Sequence, residues 1–277
     1  PNWINLPVAR KKSETGDEYR DEYYNVMGAL DGDNLPTSIF RQFDLLDGSM
    51  RPNATFLDKR AIASLVPEWN PQYCIECNQC AFVCPHATIR PFLLDEKEVE
   101  NAPDIVKAGL KDAMGGPAVK GLKFRIQVST ENCVGCGLCA SECMANQTAK
   151  RLGNDHFALK MVEARSQFDQ EEGADYCYKH VTYKSDKFPL TSPKGVGFLM
   201  PYMEVSGACA GCGETPYYRL LSQLFGKDML VANATGCSSI YCGSTPLTPF
   251  VKDKNGNGPA WANSLFEDNA EYGFGMR

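Results

Sequence analysis

The sequence predicts an α+β domain organised around two groups of four cysteines, enlarged by a long insertion and followed by the opening of an α/β domain. Three observations predict it. Eight of the 13 cysteines fall into two copies of one pattern, Cys74, Cys77, Cys80, Cys84 and Cys133, Cys136, Cys139, Cys143. The copies stand 48 residues apart, too far for a short strand, helix and turn. Residues 215–239 then read as a helix, a short apolar strand and a tight Gly-Cys-Ser-Ser turn, which is the α/β order.

With 277 residues, 43% of them hydrophobic, the chain can bury a core without disulfide staples. Its cysteines are therefore read first as ligands, and thiolate ligands need a reducing compartment such as the cytoplasm. No run of 18 apolar residues and no signal peptide is present, so no membrane association is expected. Position 1 is not methionine, as expected of a piece of a longer chain. A net charge of -6 and a pI near 5.2 argue against nucleic acid as a partner. Arg10-Lys11-Lys12, Lys120 with Lys123 and Arg125, and Lys150-Arg151 are local basic clusters. They read as solvated surface, with docking of an acidic redox partner as the sharper alternative.

Residues 1–70, rich in Asp, Asn, Gly and Pro, are expected to form an extended connector arm. Pro67 and Pro71 lead extended backbone into the first cysteine loop, so the compact domain is placed at 71–160. Its insertion covers about 91–121 and is expected to hold a helix capped by Asn101, with Pro103 in the first turn, Ile105, Val106, Gly109 and Leu110 on one face, and Gly115-Gly116 as the stop. Residues 122–128 read as a strand returning to the second loop. Residues 161–200 are expected to be a linker, and 201–277 the start of a second domain. There a helix capped by Thr215, with Pro216 first and Leu220, Leu221, Leu224 and Phe225 as its apolar face, should end at Gly226 and lead to a strand at 229–235.

The spacing Cys-x2-Cys-x2-Cys-x3-Cys-Pro at 74–85 is the bacterial ferredoxin run, repeated at 133–143 with Met144 in place of Pro. Three thiolates on one tight loop can take three corners of a 4Fe-4S cubane if the backbone curls round it, which Gly135 and Gly137 permit. The fourth cysteine, at the start of a following helix, reaches the other cluster. One cluster is thus expected on Cys74, Cys77, Cys80 and Cys143, the other on Cys133, Cys136, Cys139 and Cys84. Zinc knuckles are the competing reading, but a third and fourth cysteine at this spacing are not a zinc pattern. His86, His156 and His180 are read as surface or supporting residues. Cys209, Cys212 and Cys237 form a third set, one ligand short of a cubane. Cys242 and Cys177 offer completion as a tetrahedral zinc site, a ligand outside this chain is the other possibility, and a buried free thiol is the plain reading of each.

Beyond these motifs, VPEWNPQYCIECNQCAFVCPHATIRP, SGACAGCGETPYYRLLSQLFG, ANATGCSSIY and NGPAWANSLFEDNAEYGFGM together resemble the pyruvate:ferredoxin oxidoreductase family over essentially the whole chain. The resemblance implies a ferredoxin-like domain with two 4Fe-4S clusters, followed by the beginning of a thiamine diphosphate-binding α/β domain. In that family pyruvate is decarboxylated on thiamine diphosphate, coenzyme A takes the acetyl group, and electrons leave singly through three 4Fe-4S clusters to ferredoxin or flavodoxin. Cys209, Cys212 and Cys237 would then ligate the cluster nearest the thiamine, with Glu214 and Cys237 also touching that cofactor. The family also implies a homodimer of the full-length chain, cytoplasmic or, in an anaerobic eukaryote, in an organelle.

Two features depart from the family pattern. The fourth ligand of the third cluster is not in this sequence, and Cys242 stands where a small non-ligating residue is expected. The Gly-Asp-Gly stretch with downstream Asn that would hold Mg2+ and thiamine diphosphate is also lacking, so the chain alone is expected to be inactive on pyruvate. Two rivals remain: a free-standing two-cluster electron carrier, and a related 2-oxoacid oxidoreductase with another substrate or acceptor, including a fusion to a flavin domain using NADP.

Overall fold

The computed structural model describes residues 16–27, 31–47, 49, 51–243 and 248–277. The basic cluster at Arg10-Lys11-Lys12 lies outside them. At the centre is a three-stranded antiparallel sheet ordered β2-β4-β3: β2 (Ile89–Leu94), β4 (Lys123–Val128) and β3 (Lys111–Asp112). Its register pairs Ile89 with Val128 and Leu94 with Lys123. Every residue of β2 is buried, because both faces of the sheet are covered. Pro91 fits there because β2 is an edge strand.

Period-2 alternation sorts the two faces. Ile89 and Leu93 with Phe124, Ile126 and Val128 pack toward Cys80, Cys84, Cys139 and Cys143. Phe92 and Leu94 pack the other way, against Val106, Cys177 and Val181. That second layer is α5 (Asp104–Lys107) and α8 (Gln170–His180). The buried Arg125 of β4 satisfies it by donating to Val106 O (3.0 Å), Gln127 Oε1 (2.6 Å) and Gln170 Oε1 (2.8 Å). Helix α8 comes this close because Gly173 has no side chain: a Cβ there would lie 2.8 Å from Gln127 Oε1.

A second, two-stranded sheet joins β1 (Leu65–Trp69) to β5 (Leu159–Glu163), with Val66 opposite Val162. The C-terminal part holds α10 (Thr215–Phe225), then β6 (Leu230–Ala234), α11 (Cys237–Cys242) and β7 (Ala260–Ser264), with β6 and β7 parallel, and ends in α12 (Phe266–Met276).

Several expectations are corrected. The stretch expected to be an extended arm carries α1 (Glu18–Met27) and α2 (Ser38–Gln42), whose Tyr19, Tyr23 and Ile39 form a small core, and its end is strand β1. The stretch expected to be a linker contains α8, whose small residues Gly173, Ala174 and Cys177 supply a buried face without a run of large apolar side chains. It also contains α9 (Pro193–Gly197), capped by Ser192. In the insertion, two short helices replace the single expected one. Asp95 caps α4 (Glu96–Glu100) through a capping box with Glu98, and Asn101 ends that helix instead of starting one.

Helix α10 is present, but Glu214 is its cap residue and its face is reversed. Thr215, Arg219, Ser222 and Gln223 point inward, while Leu221, Leu224 and Phe225 are exposed. The inward face is polar because it reads backbone carbonyls. Arg219 donates to Cys84 O at 3.2 Å and to Phe82 O, and Gln223 donates to Leu199 O at 2.9 Å.

Candidate metal centres

The two cysteine loops have the same backbone path. In the second, Gly135 (φ +69°) and Gly137 (φ +77°) are left-handed; in the first, Glu76 (φ +57°) and Asn78 (φ +58°) occupy the matching positions in the same conformation. This pair of left-handed residues curls each loop so that three thiols face inward. Gly135 is required twice over, since a Cβ there would sit 2.8 Å from Leu65 O. Each loop runs into a single helical turn, α3 (Gln79–Phe82) or α6 (Leu138–Ser141), which buries its third cysteine, Cys80 or Cys139.

The fourth cysteines differ. Cys143 is the cap residue of α7 (Met144–Arg151), as expected, whereas Cys84 leads through Pro85 and His86 into β2 and starts no helix. Asn146 fixes the Cys143 turn, with its amide donating to Leu159 O (2.7 Å) and Ala140 O (3.1 Å) and its oxygen accepting from Ala158 N and Leu159 N.

Two cavities result. One is lined by Cys74, Cys77, Cys80 and Cys143 together with Trp69, Asn78, Ile126 and Leu159. The other is lined by Cys84, Cys133, Cys136 and Cys139 together with Pro67, His86, Ile89 and Met161. Each cavity thus takes three cysteines from one run and one from the other. Among the described residues no three His, Cys, Asp or Glu side chains converge on a single-ion site. The four thiols of each set instead surround a space.

Burial pushes the thiols of Cys74, Cys80, Cys133, Cys139 and Cys143 up, Cys133 to about 12. Such thiols stay protonated unless a strong local positive charge replaces the proton, which is what iron supplies. Trp69 Nε1 is buried against the Cys74 thiol and is placed to donate to its sulfur. The Gly135 amide already donates to Cys133 Sγ at 3.4 Å. A set of four thiols round each cavity, three from one run and one from the other, fits a 4Fe-4S cluster better than zinc.

The Cys209–Cys212 loop of the third set lies beside the second cavity. Cys209 and Cys212 share one loop, where Cys212 N donates to Cys209 O (3.1 Å) and Gly211 is left-handed. A Cβ on Gly211 would lie 3.8 Å from Cys136 Cβ, so this loop packs on the second cysteine run. Cys237 opens α11 and is exposed, as are Cys209 and Glu214. Neither proposed substitute ligand is exposed: Cys177 is in the core beside Phe92 and Val106, and Cys242 packs with Met203, Tyr241 and Phe250. Burial raises both thiols to about 12.

Of the histidines, His156 stacks on Tyr73 with ring centroids 4.7 Å apart. His180 packs on Tyr176. His86, expected at the surface or in a supporting role, is 2% exposed and walls the second cavity, with burial lowering its pKa. The proline-framed turn around it gave no sequence signal for this position. Glu76 is a second residue missed from sequence, and aligning the two runs, which sets it against Gly135, is the signal that exposes it.

Residues 73–147 match the family model of the 4Fe-4S dicluster domain. The chain is 46% identical over 259 residues to pyruvate:ferredoxin oxidoreductase of Moorella thermoacetica, covering 94% of this chain and 21% of that protein. It is 45% identical to pyruvate-flavodoxin oxidoreductase of Klebsiella pneumoniae, covering 99% and 22%. Against a mitochondrial NADP(+) pyruvate dehydrogenase of Euglena gracilis it is 41% identical, covering 99% and 14%. The chain therefore spans about a fifth of the length of the first of these relatives. By homology over nearly its whole length, this chain belongs with the pyruvate:ferredoxin and pyruvate-flavodoxin oxidoreductases, as a segment of that family's sequence that carries its 4Fe-4S dicluster domain.

Proposed function

We propose that the chain is the electron-transfer segment of a pyruvate:ferredoxin or pyruvate-flavodoxin oxidoreductase, which converts pyruvate and coenzyme A to acetyl-CoA and CO2. The observation that carries this reading is the crossed lining of the two cavities by Cys84 and Cys143. Cys74, Cys77, Cys80 and Cys143 would hold one 4Fe-4S cluster, and Cys133, Cys136, Cys139 and Cys84 the other, within a ferredoxin-type domain at 71–160. When bound, such clusters accept and release single electrons. The chain's own contribution is to exclude water through Trp69, Ile126, Leu159 and Met161, to donate amides to sulfur, and to hold both loops on one buried sheet.

A third cluster would use Cys209, Cys212 and Cys237 with a ligand from outside this chain. Packing of the Gly211 loop on Cys136 supports an order of transfer from this site to the Cys133 cluster and then to the Cys74 cluster. Residues 201–277 would open the thiamine diphosphate domain, with Glu214 and Cys237 near that cofactor and Mg2+. Ferredoxin or flavodoxin would accept the electrons from a homodimeric enzyme. The names of the Euglena gracilis and Cryptosporidium parvum relatives support a second reading, in which NADP is the final acceptor.

The test is iron and acid-labile sulfide per chain after anaerobic purification, with EPR of the reduced protein. About eight iron with a spin-coupled spectrum supports two neighbouring clusters. About twelve would bring Cys242 or Cys177 back as a ligand, and zinc in place of iron would sink the reading.

A further inference from the structure

The two cysteine loops share a backbone but not a charge. At the position where the second loop has Gly135, the first has Glu76, 1% exposed and held in a left-handed conformation that strains a β-carbon-bearing residue. A strained residue kept where its duplicate uses glycine points to a task for the side chain. That carboxylate sits between Cys74 and Cys77 in sequence. Its Oε2 accepts from Met114 N at 2.8 Å, while Oε1 has no hydrogen-bond partner and faces Lys111 Nζ at 3.4 Å. Lys194 Nζ stands 3.8 Å from Oε2. The lysines are themselves fastened, Lys111 Nζ to Cys74 O (2.7 Å) and Lys194 Nζ to Met114 O (2.6 Å). Three charged groups therefore stand beside the Cys74–Cys77 loop that lines the first cavity, and the duplicate loop has no equivalent of the carboxylate.

We propose that the buried Glu76–Lys111–Lys194 group sets the reduction potential of the centre on Cys74, Cys77, Cys80 and Cys143 independently of its neighbour. The inference rests on the ligation proposed above. Reduction of that centre adds one electron and one negative charge, with no bond made or broken. The Glu76 carboxylate opposes that charge and each ammonium favours it, through low-dielectric surroundings that transmit both strongly. Glu76 lines neither cavity, so its charge reaches the centre through space while its side chain holds Met114 and faces the lysines.

The experiment is an EPR-monitored redox titration of the cluster-loaded protein and of Glu76→Gln, Glu76→Gly, Lys111→Met and Lys194→Met. Glu76→Gly reproduces the duplicate loop, relieves the left-handed strain and keeps the test open if the glutamine variant folds poorly. The expected result is a higher midpoint for one centre in both Glu76 variants, a lower midpoint for the same centre in the lysine variants, and no change in the other centre. Shifts of one sign in all four variants, equal shifts in both centres, or no shift would overturn the proposal. Iron and sulfide of about eight each in the wild type keep the ligation standing whichever way the potentials move; a wild type without iron overturns both.

Discussion

His86 Nε2 donates to the carbonyl of Cys209 across 3.3 Å, tying the turn after the first cysteine run to the loop that carries the third cysteine set. The bond is part-buried, and the backbone beside it is also paired, with Val205 N donating to His86 O at 2.9 Å. Replacing His86 by Phe keeps the ring volume but leaves the Cys209 carbonyl without its donor. The expected cost is about 0.5–1.5 kcal/mol, with faster amide exchange at residues 207–213 and unchanged exchange in β2 and β4, read by mass spectrometry.

Gly135 and Gly137 separate two effects of the same substitution. Both are left-handed, but a Cβ at Gly137 meets nothing within 4 Å, whereas one at Gly135 strikes Leu65 O. Gly137→Ala should therefore cost only the conformational term, about 1–2 kcal/mol. Gly135→Ala should cost more and push strand β1 off the loop, lowering iron per chain toward half. Equal iron content in the two variants would contradict the steric argument.

Arg90 and Glu204 form a buried ion pair beneath the 201–206 segment, with side-chain exposures of 7% and 8%. Arg90 also donates to Ala87 O (2.7 Å) and Tyr183 Oη (3.0 Å) and lies over the Tyr178 ring. Burial works against its charge, but the neighbouring Tyr183 and Glu204 outweigh it and hold the guanidinium charged. Glu204→Ala strands that charge and should destabilise by about 3–5 kcal/mol in urea unfolding. The double change Arg90→Met with Glu204→Leu should recover most of the loss.

Glu98 gives a pH signature. Burial raises its pKa, but the donors Lys184 Nζ (2.5 Å), Thr182 Oγ1 (2.6 Å), Thr182 N (2.8 Å) and Asp95 N (2.9 Å) more than offset this and hold the carboxyl below its ordinary value. A depressed carboxylate stabilises the fold above its unfolded pKa, and that contribution disappears as pH falls through the folded one. The stability gap between wild type and Glu98→Gln should be on the order of 1 kcal/mol at neutral pH, discounted for the solvent that reaches the site. It should close below about pH 4. A gap constant from pH 7 to 3 would show that the carboxylate charge is not what matters.

Local signals were legible where the chemistry is local. Cysteine spacing located both runs, and the alternating residues at 122–128 and the apolar run at 229–235 located β4 and β6. Long-range pairing was not legible: β1 meets β5 some ninety residues later, and nothing in Leu65–Trp69 announces that partner. Helix α8 escaped notice because glycine, alanine and cysteine make its buried face. Helix α10 was found but turned the wrong way, since apolar periodicity cannot foresee an inward Arg219 that serves carbonyls of another loop. The Asp95-x-x-Glu98 box is a helix-start signal in the sequence, and it prevails over Asn101, which ends that helix.

The exchange of Cys84 and Cys143 between the two cavities has a consequence for how the protein is assembled. The segment between Cys84 and Cys133 is a single loop whose ends both centres must bring together, and its closure entropy is lost only once. Whichever centre fills first draws the runs into register and gathers the thiols of the second. On the proposed ligation, iron-sulfur loading is therefore positively cooperative, and a starved cell accumulates chains that are either empty or full.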